Sequence, residues 1–105
     1  MLHVCPTDVV HAPAERVWQL IATPNELAEW SDTKVVEAPG RELRAGDRLV
    51  LGAGVGHFVK VTFDVTNAER PHRLAIDIRL PLGVTNREVI EIAPVSVDAC
   101  RVTFN

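Results

Sequence analysis

The chain has 105 residues, 47% hydrophobic and 24% charged, with a formal net charge of -3. That length makes a single domain, and the apolar fraction excludes a disordered chain, which needs low hydrophobicity and high charge. Eleven Lys+Arg face fourteen Asp+Glu with no basic stretch, which argues against a general nucleic-acid binder, and no apolar run reaches a bilayer-spanning length. The N-terminus, Met1 to Asp8, lacks a basic region followed by an apolar core, so no secretory signal is read and the cytoplasm is the expected compartment.

Leu2 to Val10 reads as extended chain, with Val4, Val9 and Val10 and a Pro6 suited to an edge or a bulge. Pro13 suits the first position of a helix, and Ala14, Val17, Trp18, Leu20 and Ile21 follow at helical spacing. Thr23-Pro24-Asn25-Glu26 ends that helix and opens a second, short one, with Thr23 and Glu26 expected as a capping box and Leu27 and Trp30 on one face. From Thr33 onward the pattern is that of strands. Val35-Val36 is a short one and Asp47 to Leu51 the next, and Gly52 to Gly56 is a hairpin connection. Val59, Val61, Phe63 and Val65 then alternate with Lys60, Thr62, Asp64 and Thr66, the pattern of a half-buried strand. A turn is expected over Asn67 to Pro71. Leu74, Ile76, Ile78 and Leu80 repeat the alternation, Pro81-Leu82-Gly83 turns, and Val84 to Ile92 is another strand. Pro94 to Asp98 turns again before Cys100, Val102 and Phe104. The layout is α+β: a strand, two short helices, then about six antiparallel strands in a meander.

The segments Ala12-Pro13-Ala14-Glu15-Arg16-Val17-Trp18, Pro24-Asn25-Glu26-Leu27-Ala28-Glu29-Trp30-Ser31 and Gly46-Asp47-Arg48-Leu49 resemble the START/Bet v 1-like superfamily, and within it the polyketide cyclase/dehydrase and lipid-transport branch. The resemblance runs over essentially the whole chain. It implies a helix-grip fold, in which a curved antiparallel sheet wraps a long C-terminal helix. It also implies an apolar cavity for lipids, polyketides or other hydrophobic small molecules. The long helix would have to follow Asn105. The chain is therefore expected to be a fragment, or to have a partner supply the cover, and an uncovered apolar face predicts homodimerisation or aggregation.

Glu88 shares strand parity with Asn86, Ile90 and Ile92, so it faces a cavity if they do. A carboxylate in an apolar pocket can serve as general acid or base; the plainer reading is a strand-end residue reached by water, or a partner for an arginine. His57 shares parity with Val59, Val61 and Phe63, and His72 with Leu74 and Ile76. Each is either a cavity-mouth histidine or a solvated turn neighbour. His3 and His11 lie far apart along the first strand, and no Cys/His cluster exists, so neither metal nor cofactor is expected. Two cysteines are too few for a disulfide scaffold. Cys5 and Cys100 fall on the first and last strands, which the resemblance makes neighbours, and two free, mostly buried thiols are expected. Trp18 is expected to pack on the sheet, and Trp30 either to wedge the helices together or to stack on a ligand. The Gly52–Gly56 loop lacks a Gly-Lys-Ser/Thr ending and is no phosphate cradle; a hairpin at the cavity mouth is the better reading.

Three functions compete. The first, favoured because no catalytic cluster converges, is binding of an apolar small molecule by Trp30, Val61, Phe63, Ile76, Ile78, Ile90 and Val102. The second is a polyketide cyclase or dehydratase with Glu88 as base and Asn86 or His57 polarising a carbonyl. The third is a protein-interaction domain of the kind found among co-chaperone relatives in the same superfamily.

Overall fold

The computed structural model describes residues 7–104. Strand β1 (Thr7–Val10) leads into helices α1 (Ala14–Ala22) and α2 (Pro24–Trp30). Six strands follow: β2 (Lys34–Glu37), β3 (Arg48–Ala53), β4 (Val59–Glu69), β5 (Arg73–Arg79), β6 (Thr85–Ser96) and β7 (Ala99–Phe104). They form one antiparallel sheet in the order β1-β7-β6-β5-β4-β3-β2. The meander is as the alternation predicts, and β1 closes the far edge by pairing with β7.

Two strands outrun their expected ends. In β4 a bulge between Val65 and Asn67 absorbs one residue, so pairing continues to Glu69 and the turn shrinks to 70–72. In β6 the chain stays extended through Pro94 to Ser96. The Ile92 N–H still donates to the His72 carbonyl at 2.8 Å; beyond it β6 is paired with β7 only, so the donor that Pro94 lacks is missed less there.

The helices cover part of one face of the sheet. Val17, Trp18 and Ile21 of the expected stripe are buried, with Ala22 beside them, while Ala14 and Leu20 are half-buried; Trp18 is wholly enclosed. Pro13 is the N-cap residue of α1 rather than its first residue, while Pro24 does open α2. The expected capping box does not form. Thr23 makes no side-chain cap, and Glu26 instead takes an ion pair from Arg16 at 2.7 Å, which ties the helices together.

Beneath α1 and α2 lie Leu49, Leu51, Val65, Leu74, Ile76, Ile90, Ile92, Cys100 and Val102, all buried. The opposite face is polar and ordered by charge. Arg48, Asp64, Asp77 and Arg87 stand in one cross-strand row, so two facing aspartates are flanked by two arginines. Like charges opposite each other repel. Here Asp64 is held by Arg48 at 2.9 Å and by Arg79, and Asp77 by Arg87 at 2.9 Å. Among the described residues no helix is long and apolar enough to cross a membrane, and no long C-terminal helix is present.

Candidate ligand cavity

Register builds the cavity. Phe63 faces Ile78, Leu51 faces Val61, Leu74 faces Ile90, and Ile90 faces Phe104. These pairs stack their side chains on the helix-covered face, because side chains alternate along each strand. Ile21 and Leu27 close the wall from the helices, and Leu43 enters from the β2–β3 connection, pinned by its N–H to the Ala22 carbonyl at 2.8 Å. The hollow, open to solvent on one side, measures about 310 Å³, within the range of small-molecule sites.

Its lining is almost wholly apolar. The hydroxyl of Ser31 is already engaged, donating to the Leu27 carbonyl at 2.6 Å and lying 2.9 Å from the Thr33 hydroxyl. The Trp30 indole N–H donates to the Leu20 carbonyl at 2.7 Å. Trp30 therefore offers the hollow its ring, not a donor, and it fastens the end of α2 to α1 by the same bond. Glu88 is different. Its half-buried carboxylate lines the hollow opposite Ile76 and has no hydrogen-bond or ion-pair partner among the described residues. A lone carboxylate beside a greasy wall can anchor a hydroxyl or an amine, or accept a proton.

A second hollow lies alongside, between β1, β7 and α1, lined by Val10, Val17, Leu20 and Val102. Ile21, Trp30 and Phe104 line both, so the two are halves of one trough divided by these three side chains.

The trough gathers most of the residues singled out by parity. Trp30, Val61, Phe63, Ile76, Ile78, Ile90 and Glu88 line the first half, and Val102 lines the second. Asn86 and His57 line neither. Asn86 is exposed at the start of β6 and borders a polar hollow with Asp64, Asp77 and Arg87. His57 does not continue the parity of β4. The connection closes as a 3-10 turn, Val55–His57, with Gly54, Gly56 and His57 at φ +75, +69 and +58, and that breaks the two-residue period and leaves the imidazole in solvent. His72 and His11 are exposed as well. His3 and Cys5 lie outside the described residues, and Cys100 is a free, buried thiol. No group of His, Cys, Asp and Glu among the described residues has a metal-holding arrangement. Leu27, Leu43, Ala53 and Phe104 are lining residues that sequence reasoning missed. Leu43 sits in a connection with no periodicity to flag it, whereas Phe104 carried the alternation signal of β7.

Comparison with known proteins fits this geometry. A family model described as polyketide cyclase / dehydrase and lipid transport matches residues 1–105. The chain belongs to this family. Solved structures share its fold at low identity. An HSP90 activator from Plasmodium falciparum superposes with a TM-score of 0.74 at 13% identity, over 96% of this chain and 69% of that one. CalU16 from Micromonospora echinospora gives 0.70 at 19%, over 93% and 55%. The Aha1 dimer from Colwellia psychrerythraea gives 0.74 at 14%, over 99% and 74%. The chain thus spans between 55% and 74% of the length of these three. No curated protein sequence matches it. The polyketide cyclase-like chain has the START/Bet v 1-like, helix-grip sheet and helix pair.

Proposed function

We propose that this protein binds a hydrophobic small molecule of lipid or polyketide class in the trough between its helices and sheet, in the cytoplasm. The supporting observation is the convergence of Val61, Phe63, Ile76, Ile78 and Ile90 on one hollow of about 310 Å³ that carries a single unpartnered carboxylate. Transfer of an apolar ligand into such a site removes its surface from water, which is the main driving force. Titration with N-phenyl-1-naphthylamine, which fluoresces on entering an apolar site, tests this. Saturable binding that Ile78→Asp weakens supports the reading; a linear, unsaturable response refutes it.

Glu88 favours a second reading, a cyclase or dehydratase in which this carboxylate removes a proton from a bound polyketide chain. Asn86 and His57 take no part in it, since neither lines the trough. Loss of turnover in Glu88→Gln with probe binding retained would select this reading over simple carriage.

Self-association through the part of the apolar sheet face that the two helices leave uncovered is a further part of this reading; the solved Aha1 neighbour is a dimer. Sedimentation velocity reads this directly: a concentration-dependent dimer is expected, and a monomer at all concentrations overturns it.

A further inference from the structure

Two connections leave the sheet side by side. Ala53 pairs with Val59 across the β3–β4 connection, and Arg79 pairs with Thr85 across the β5–β6 connection. β4 and β5 are antiparallel neighbours, with Thr62 opposite Arg79, so both tips lie at the same end of the molecule. These tips carry apolar side chains in open water. Val55 is 97% exposed, Phe58 86% and Leu82 101%.

Their backbones hold them there. Leu82 sits at φ +66, a region where glycine or asparagine would be at ease and leucine is not. The turn over Val55–His57 is packed against β3 so closely that a Cβ on Gly52 would lie 2.4 Å from the His57 carbonyl oxygen. The β3–β4 tip is thus a turn packed against its own strand, and nothing inside the fold rewards a phenylalanine there or a leucine at position 82. A reward has to come from outside the chain.

Charge indicates which kind of surface supplies it. From Leu49 to Phe63 and from Ile78 to Arg87 there is no Asp or Glu; Arg79 and Arg87 in these stretches are ion-paired to Asp64 and Asp77, so the unpaired cation they hold is Lys60. Lys34 joins Lys60 in one cross-strand row through Gly52, and neither lysine has an ion-pair partner among the described residues. Apolar tips backed by free cations match an interface with hydrocarbon below and negative headgroups above. A protein partner would need pockets spaced for each tip; a fluid bilayer accepts any spacing.

We propose that the β3–β4 and β5–β6 tips dock this protein onto the surface of an anionic phospholipid bilayer, with Val55, Phe58 and Leu82 entering the interface and Lys34 and Lys60 meeting the headgroups. The docking is independent of what fills the trough. Co-sedimentation with vesicles of phosphatidylcholine, alone or mixed with phosphatidylglycerol, tests it. The chain should pellet with the mixed vesicles, the Phe58→Asp/Leu82→Asp variant should bind roughly tenfold more weakly, and Lys34→Gln/Lys60→Gln should lose the preference for phosphatidylglycerol. Phe58→Trp supplies a second readout, since its emission should shift to the blue and be quenched by brominated lipid. Retained N-phenyl-1-naphthylamine binding in the aspartate variant would show that its fold and trough are intact. A chain that stays in solution with the mixed vesicles overturns the proposal, as does unquenched Phe58→Trp emission. So does a concentration-dependent dimer that the aspartate variant abolishes while vesicle binding is unaffected, because the tips would then be a self-association surface.

Discussion

Ile76 on β5 and Glu88 on β6 stand directly opposite each other, and both line the same hollow. Cross-strand neighbours on one face lie about 5 Å apart, so any apolar ligand lying on Ile76 meets the carboxylate. A ligand without a polar group must then strip water from that carboxylate and return nothing. Glu88→Gln should therefore tighten binding of a neutral apolar probe by roughly fivefold, the charged group being the costlier to desolvate. Ile76→Asp should abolish it, because two carboxylates would face each other across the strands. Fluorescence titration of the two variants side by side reads both effects.

Gly52 is required by contact rather than by its own backbone angle. A methyl group there would meet the His57 carbonyl oxygen at 2.4 Å, and that atom is backbone and cannot swing away. Gly52→Ala should cost about 1–3 kcal/mol through overpacking and displace the Val55–His57 turn. At Gly40 no atom lies within 4 Å and no unusual φ is needed, so Gly40→Ala should be close to neutral. Urea denaturation of both variants gives the contrast.

Acid should unfold the protein through two aspartates. The Arg41 guanidinium, which grips Asp47 at 2.7 and 3.0 Å, holds that carboxyl below its usual value, assisted by the Arg44 N–H at 2.7 Å. Arg48, with Arg79, does the same for Asp64. A depressed carboxyl stabilises the fold fully above its unfolded value, near 3.8 here, and that stability drains away as pH falls through the lower, folded values. The melting temperature should therefore fall below about pH 4 by this linkage. Asp47→Asn should lower stability at pH 7 on the order of 1 kcal/mol, since its arginine partner is partly solvated, and should flatten the acid fall. Thermal melts from pH 2 to 7 show whether it does.

Cys100 is wholly enclosed, and burial pushes its thiol above the usual value. Thiolate is the reactive form. A disulfide reagent added to the native protein should label Cys100 only at the rate of unfolding or local opening, and promptly in denaturant. Prompt labelling of the native chain would contradict this packing. Mass mapping separates Cys100 from Cys5.

Much of the fold was legible because its signals are local. Alternation in Val59 to Val65 and in Leu74 to Ile78 depends only on strand geometry, and the stripe from Val17 to Ile21 only on helical pitch. The same parity placed Ile76, Ile78, Glu88 and Ile90 on one face, so the β5 and β6 part of the wall could be named in advance. Local patterns and the fold part where a side chain meets a competing partner or the backbone turns back. Glu26 suits a capping box but found Arg16 across the helix junction. His57 follows the β4 period until two glycines reverse the backbone.

The sequence by itself determined the order of elements and the greasy side of the alternating strands, since both are written in residue spacing, and its motif segments carry the family resemblance. Only the tertiary structure decided how far β4 and β6 extend, that Leu43 closes the wall, and that the β3–β4 and β5–β6 tips share one end. Those outcomes depend on which strand lies beside which and on where a bulge absorbs a residue. They are set by packing between segments distant along the chain, which no local pattern encodes.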